Sequence, residues 1–211
     1  MSLVSLDIKQ YCVKHSAKLS DVAQKLLTYT QESVHGSHML IGEIEGSFIQ
    51  FLIRIGRVKK ILEFGTYTGF SALLMAEALP ADGQVITLDM NQETSMIARS
   101  YWDQSEHGKK ITQILGPALN SLNSIHETFD FIFIDADKNN YSNYLEWSLN
   151  HLNPHGFIIS DNTLWKGKVT GQEMDKQTSS IHSHNVKAAS LKGYTTSLLP
   201  IRDGMFLITK N

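Results

Sequence analysis

The chain has 211 residues, 42% of them hydrophobic and 19% charged, with a net charge of -2. That length suits one well-buried domain and is too short for a nucleotide domain plus a full second domain, while the faint negative charge offers no basic field for nucleic acid. No apolar run approaches the roughly 18 residues of a membrane span, and the lone Cys12 leaves no internal disulfide, so the expectation is a cytoplasmic protein acting on a small molecule. The start, Met1 to Asp7, lacks the basic and long apolar regions of a signal peptide.

In chain order, Leu19, Val22, Ala23, Leu26 and Leu27 fall on one helical face, and Phe48, Phe51, Leu52 and Ile55 do so a little later, which predicts a helical part over 1–58. Gly36-Ser37-His38-Met39 spells a common vector scar, yet it lies inside patterned sequence and is kept in the fold. From 59 the pattern becomes short apolar runs alternating with helical stretches. Strands are predicted at Ile61–Phe64, Val85–Leu88, Ile111–Leu115, Phe129–Ile134 and Phe157–Ser160, and helices at Ser71–Leu79, Thr94–Gln104 and Tyr141–Leu152. Thr196–Leu199 and Met205–Thr209, joined through Asp203-Gly204, read as a hairpin that turns the last strand antiparallel. The polar stretch Lys166–Ser180 reads as a mobile loop. The whole predicts a single α/β domain over 1–211: a mostly parallel seven-stranded sheet, its last strand antiparallel, with helices on both faces.

In such a sheet, ligands gather beyond the carboxyl ends of the strands, and Glu63, Asp89, Asp135 and Asp161 sit at four of them. The first end runs Leu62-Glu63-Phe64-Gly65-Thr66-Tyr67-Thr68-Gly69-Phe70-Ser71. A dinucleotide fingerprint would need a middle Gly to clear a pyrophosphate; Thr66 and Tyr67 fill that room, which favours a nucleoside such as S-adenosylmethionine (SAM) over NAD. Asp89 is placed to hold ribose hydroxyls, or alternatively to cap the following helix. Asp135, Asp161 and Asn162 offer only oxygen, the ligand type that selects Mg²⁺, Mn²⁺ or Ca²⁺ over Zn²⁺; turn formation is the plainer alternative. Lys138, three residues past Asp135, is a candidate general base or a solvated surface residue, and Trp165 a candidate wall for a planar substrate or partial core. His182 and His184, two apart in a helix, face different ways and make no metal pair.

Together these motifs resemble the cation-dependent, SAM-dependent O-methyltransferases of the caffeoyl-CoA and catechol type, over about Met39 to Lys210. The resemblance rests on Met39-Leu40-Ile41-Gly42-Glu43-Ile44-Glu45-Gly46, the Leu62–Ser71 loop, Asp135-Ala136-Asp137-Lys138-Asn139-Asn140-Tyr141 and Asp161-Asn162. It implies a Rossmann-like class I methyltransferase fold. It implies that Glu63, Gly65, Tyr67 and Ser71 hold the amino-acid end of SAM, with Asp89 on the ribose, Met39 and Ile41 along the cofactor, and Ala118 beside the adenine. Asp135 would border the cofactor and, with Asp161 and Asn162, bind the cation; Lys138 would be the base, and Asp137 and Trp165 would meet the substrate. The implied reaction is methylation of one hydroxyl of a vicinal aromatic diol by a homodimer. Lys166–Ser190 departs from the family pattern, and Lys14, Lys18 and Lys25 match no CoA-contacting lysine, so the acceptor stays open. A nucleotide-dependent oxidoreductase lacks its glycine here, and a binding protein without turnover would have no need of the Asp135, Lys138, Asp161 and Asn162 set.

Overall fold

Alternate residues of the central strands bury into two separate apolar layers, and this puts helices on both faces of the sheet. Ile61, Phe131, Phe133 and Ile159 face one layer, while Leu62, Phe64, Ile132, Ile134 and Ile158 face the other. A computed structural model describes residues 4–211; Met1–Leu3, part of the start examined for a signal peptide, lie outside the described residues. The elements are α1 (Leu6–Lys14), α2 (Asp21–Ser33), α3 (Glu43–Ile55), β1 (Lys60–Phe64), α4 (Phe70–Ala78), β2 (Gln84–Asp89), α5 (Gln92–Trp102), β3 (Ile111–Leu115), α6 (Ala118–Ser121), β4 (Phe129–Ile134), α7 (Tyr141–Asn150), β5 (Leu152–Asp161), α8 (Lys176–Ala189), β6 (Tyr194–Leu199) and β7 (Met205–Lys210). The strands form one sheet in the order β3-β2-β1-β4-β5-β7-β6, with only β7 running against the rest. Helices α2 to α5 pack on the first layer, and α7 and α8 on the second.

Three expectations are corrected. Lys166–Ser180 is ordered structure: a 3₁₀ segment over Trp165–Thr170, then α8 from Lys176, capped by Asp175, whose carboxylate accepts from the Thr178 N–H at 2.8 Å. The buried face of α8 is Thr178, Ile181, His184 and Ala188, half of it polar, which hid the helix from a hydropathy reading. On α3 the buried face is Glu45, Gly46, Ile49 and Ile53, leaving Phe51 and Ile55 exposed rather than in the core. Finally β5 starts at Leu152, earlier than its apolar run, because the chain pairs with β4 through a bulge between Phe129 and Phe131.

Candidate active site

Strand register builds the site. Phe64 lies opposite Leu88 on one side and Ile134 on the other, and Ile134 lies opposite Ser160. The next residue on each strand therefore falls in one row, Asp89, Gly65, Asp135 and Asp161, at the sheet's carboxyl edge. Neighbours in such a row are about 5 Å apart, which sets Asp135 beside Asp161 and leaves Gly65 between two acids. The Gly65 N–H donates to the Leu88 carbonyl and the Asp135 N–H to the Phe64 carbonyl, both at 2.9 Å, extending the ladder to this row. Gly65 has φ +96°, and a Cβ there would lie 2.1 Å from the Asp135 carbonyl oxygen. The glycine thus permits the close approach of two backbones, a tighter constraint than space for a ligand. Gly69, with φ +80°, opens α4 where a Cβ would lie 2.5 Å from Trp102; the indole N–H donates to its carbonyl at 2.9 Å.

Above this row lies a cavity of about 1550 Å³, walled by Gly65 to Tyr67 and Ser71, by Asp89, by Met39 and Ile41, by Ala118, and by Asp135, Asp137, Lys138, Asn162 and Trp165. The structure thereby brings all but two of the expected site residues into the lining of one cavity. The two others, Glu63 and Asp161, stand behind it with 0% and 1% exposure.

The Asp89 carboxylate shapes the loop it faces. Its Oδ2 accepts from the Thr66 and Tyr67 N–H groups at 2.9 and 2.8 Å, and Oδ1 from the Asn91 N–H at 2.8 Å. It does not cap α5: Asn91 does, accepting from Glu93 and Thr94. A carboxylate with three amide donors keeps lone-pair capacity for a further donor. Glu63 accepts from Ser71 Oγ and Thr87 Oγ1, each at 2.5 Å, and Thr87 and Thr66 share a bond of 2.6 Å. Burial pushes the Glu63 carboxyl up to about 8, with the two hydroxyls opposing the shift. Tyr67 sits in the left-handed region at φ 49° and donates through its hydroxyl to the His35 carbonyl at 2.8 Å, and burial raises its phenol.

At the other end the contacts run between side chains. The Lys138 ammonium donates to Asp135 Oδ1 and Asn162 Oδ1, both at 2.9 Å, and to the Tyr141 hydroxyl, whose ring it overlies at 4.6 Å. Tyr141, fully buried, donates in turn to the Asp161 carbonyl at 3.0 Å. Burial first, and then the Asp135 and Asp161 charges, push its phenol well above the ordinary range. Asp161 Oδ2 accepts from the Asn162 amide at 3.1 Å, while Oδ1 is buried without a hydrogen-bond partner. Burial and then the Asp135 charge push the Asp161 carboxyl up to about 8, with Lys138 opposing. Asp137 accepts from the Tyr144 hydroxyl at 2.5 Å and the Asn140 amide at 2.8 Å. Asn162, Trp165 and Lys166, none of them glycine, have positive φ, a concentration of local strain of the kind functional loops carry.

Among the described residues no three His, Cys, Asp or Glu side chains gather as a metal site; the two carboxylates here are completed by an amide. The donor chemistry nevertheless fits a hard cation, since these oxygens already hold an ammonium and the Asp161 Oδ1 lacks a donor. His184 is buried, its ring edge-on to Tyr141 at 5.3 Å, and burial drops it to about 4; His182 is exposed, so the pair does not converge.

Residues 13–211 match the model of an O-methyltransferase family. The chain belongs to that family. It is 34% identical over 210 residues to the Dictyostelium discoideum protein named "Probable caffeoyl-CoA O-methyltransferase 2", covering 96% of this chain and 91% of the relative. It is 33% identical over 207 residues to the mouse catechol O-methyltransferase domain-containing protein 1, covering 95% and 79%. An O-methyltransferase of Bacillus cereus, solved with S-adenosylhomocysteine (SAH), superposes with a TM-score of 0.89 at 28% identity and 97% coverage of both chains. The chain is therefore a SAM-dependent O-methyltransferase with the seven-stranded fold of its class. Sequence reading passed over Tyr141, Arg202 and Asp203; the tyrosine lay inside a quoted motif and the other two in a turn read only as a hairpin connection.

Proposed function

We propose that this methyltransferase moves the SAM methyl group to one hydroxyl of a vicinal aromatic diol of the catechol, caffeoyl or flavonoid type. A divalent cation, Mg²⁺ or alternatively Mn²⁺ or Ca²⁺, would be held by Asp135, Asp161 and Asn162. The observation that carries this reading is a set of oxygens at two adjacent strand ends: Asp135 Oδ1 and Asn162 Oδ1, which share the Lys138 ammonium, and beside them the buried Asp161, whose Oδ1 has no hydrogen-bond partner. When bound there, a divalent cation acidifies and orients two adjacent hydroxyls, which a single phenol does not exploit.

The protein's own groups do the rest. For this role the Lys138 ammonium first gives up a proton to solvent, and the neutral Nζ then takes the proton that the acceptor hydroxyl loses. Tyr141, its own hydrogen spent on the Asp161 carbonyl, presents only a lone pair to Nζ and so steadies the ammonium that results. Asp89 holds the Thr66 and Tyr67 amides in place for the cofactor, and the Ser71 hydroxyl is turned by Glu63. Trp165 and Asp137 line the acceptor side. The same reading places the chain in the cytoplasm as a homodimer without nucleic-acid or membrane partners; the lone cysteine supports the first, and the exposed Phe51 and Ile55 on α3 support the second. Among the described residues no helix is long and apolar enough to cross a membrane.

A methyl-transfer screen over catechols, caffeoyl esters and flavonoids with Mg²⁺ or Mn²⁺, paired with monophenol analogues, tests the acceptor. Turnover confined to the diols is expected. Equal turnover of the monophenols would overturn it.

A further inference from the structure

The stretch Val34 to Ile41 walls one side of the cavity, and its internal bonds are those of a single 3₁₀ turn, Met39 N–H to the Gly36 carbonyl at 2.8 Å and Leu40 N–H to the Ser37 carbonyl at 3.2 Å. What holds it comes from elsewhere. Arg202, in the β6–β7 turn, donates from its two terminal nitrogens to the Leu40 carbonyl at 2.6 Å and the His38 carbonyl at 3.0 Å. Its Nε lies 3.4 Å from Oε1 of Glu45, a carboxylate with 3% exposure on the buried face of α3. Arg202 itself has φ 51°, a backbone cost that persists only where surrounding contacts impose it.

The next two residues of the turn grip the opposite wall. Asp203 Oδ1 accepts from the Lys166 N–H at 2.5 Å, the Asp203 carbonyl from the Leu164 N–H at 2.8 Å, and the Gly204 carbonyl from the Thr163 N–H at 3.1 Å. That wall is the 162–167 loop, which carries Asn162 and Trp165. One short turn therefore bolts the cofactor side, Met39 and Ile41, to the acceptor side.

We propose that Arg202 is a positioning residue that sets the spacing between the cofactor wall and the acceptor wall. It acts through the backbone of His38 and Leu40 and need not touch the reacting atoms. A planar guanidinium serves two carbonyls and a carboxylate at once; an ammonium on a flexible stem keeps the charge opposite Glu45 but cannot reproduce the fork. The acceptor half of this inference rests on the diol reading, and the cofactor half does not.

The test is SAH calorimetry together with kcat and acceptor KM for Arg202→Lys. The folded protein should lose about tenfold in SAH affinity and gain a similar factor in acceptor KM, with kcat at saturation within about threefold of the parent, because Lys138 and its partners are untouched. Should Arg202→Lys fail to fold, Arg202→Met with Glu45→Gln, which leaves no charge buried alone, carries the same expectation. Parental SAH affinity in a folded variant overturns the proposal, including where the melting temperature falls. Weakened SAH binding in a protein whose parent methylates no diol would leave the proposal standing and sink the acceptor reading instead.

Discussion

The two ends of the cavity are built from different materials. At the Asp89 end, one carboxylate collects three backbone amides and Glu63 collects two hydroxyls, so the polar groups are tied to the chain's own main chain or to buried neighbours. At the Asp135 end, charged side chains meet one another: Lys138 with Asp135 and Asn162, Asp161 with a bare oxygen, and a loop with four residues at positive φ. Backbone hydrogen bonds fix geometry whatever ligand arrives, whereas a side-chain cluster with spare acceptors answers to what binds. The contrast suits an enzyme whose methyl donor is constant and whose acceptor end, in the proposed reaction, adapts to a diol and a cation.

Gly65 is where the two ends meet, and it offers the most drastic way to break the contrast. Gly65→Val forces a branched side chain into the Asp135 carbonyl at an unfavourable φ, so SAH binding and methyl transfer should both fall below detection, with a clear drop in melting temperature. A variant that binds SAH normally by calorimetry would remove Gly65 from its place as the hinge between the ends. Lys138→Ala should strike only the acceptor end: kcat lower by about 10² to 10⁴, SAH affinity little changed, and the defect shrinking at high pH as hydroxide or an ionised diol replaces the base. A pH-rate profile on a simple catechol reads this, and a defect constant to high pH would mean that Lys138 acts by charge alone.

Asp89→Ala should strike only the cofactor end, costing roughly 1.5 to 3 kcal/mol of SAM affinity through loss of the ribose contact proposed for it and a loosened loop. Equal affinity in parent and variant would take the ribose away from Asp89. The smallest effect is on stability. Folded Glu63 keeps its proton up to about pH 8, while the unfolded chain releases it near 4.5. Between those values the folded state binds more protons, so stability falls as pH rises through the window. In Glu63→Gln the melting temperature of the ligand-free protein should decline less between pH 5 and 8, with Asp161 still contributing its own share; parallel curves for parent and variant would contradict the burial argument.

The acids of both ends were legible in the sequence, and the contacts that span the cavity were not. Strand-terminal acids and the Gly65–Gly69 spacing are local features, and register alone carried them into one row. What ties the two walls together depends on contacts between distant segments: Arg202 reaches Leu40 and His38 on the cofactor side, while Asp203 reaches Lys166 and Tyr141 reaches Asp161 on the acceptor side. No local pattern marks those. Helix α8 was missed because Thr178 and His184 occupy its buried face, and α3 was turned by one position because Ile49 and Ile53 alternate with the equally apolar Phe51 and Ile55.

The central claim is that the acceptor end works with a divalent cation on Asp135, Asp161 and Asn162, while the cofactor end does not need it. Treating the parent protein with EDTA and following both SAH calorimetry and methyl transfer to catechol tests this most directly. SAH affinity should survive, transfer should vanish and then return with added Mg²⁺ or Mn²⁺, and Asp161→Ala should lose that recovery. Methyl transfer that continues undiminished in EDTA would contradict the account.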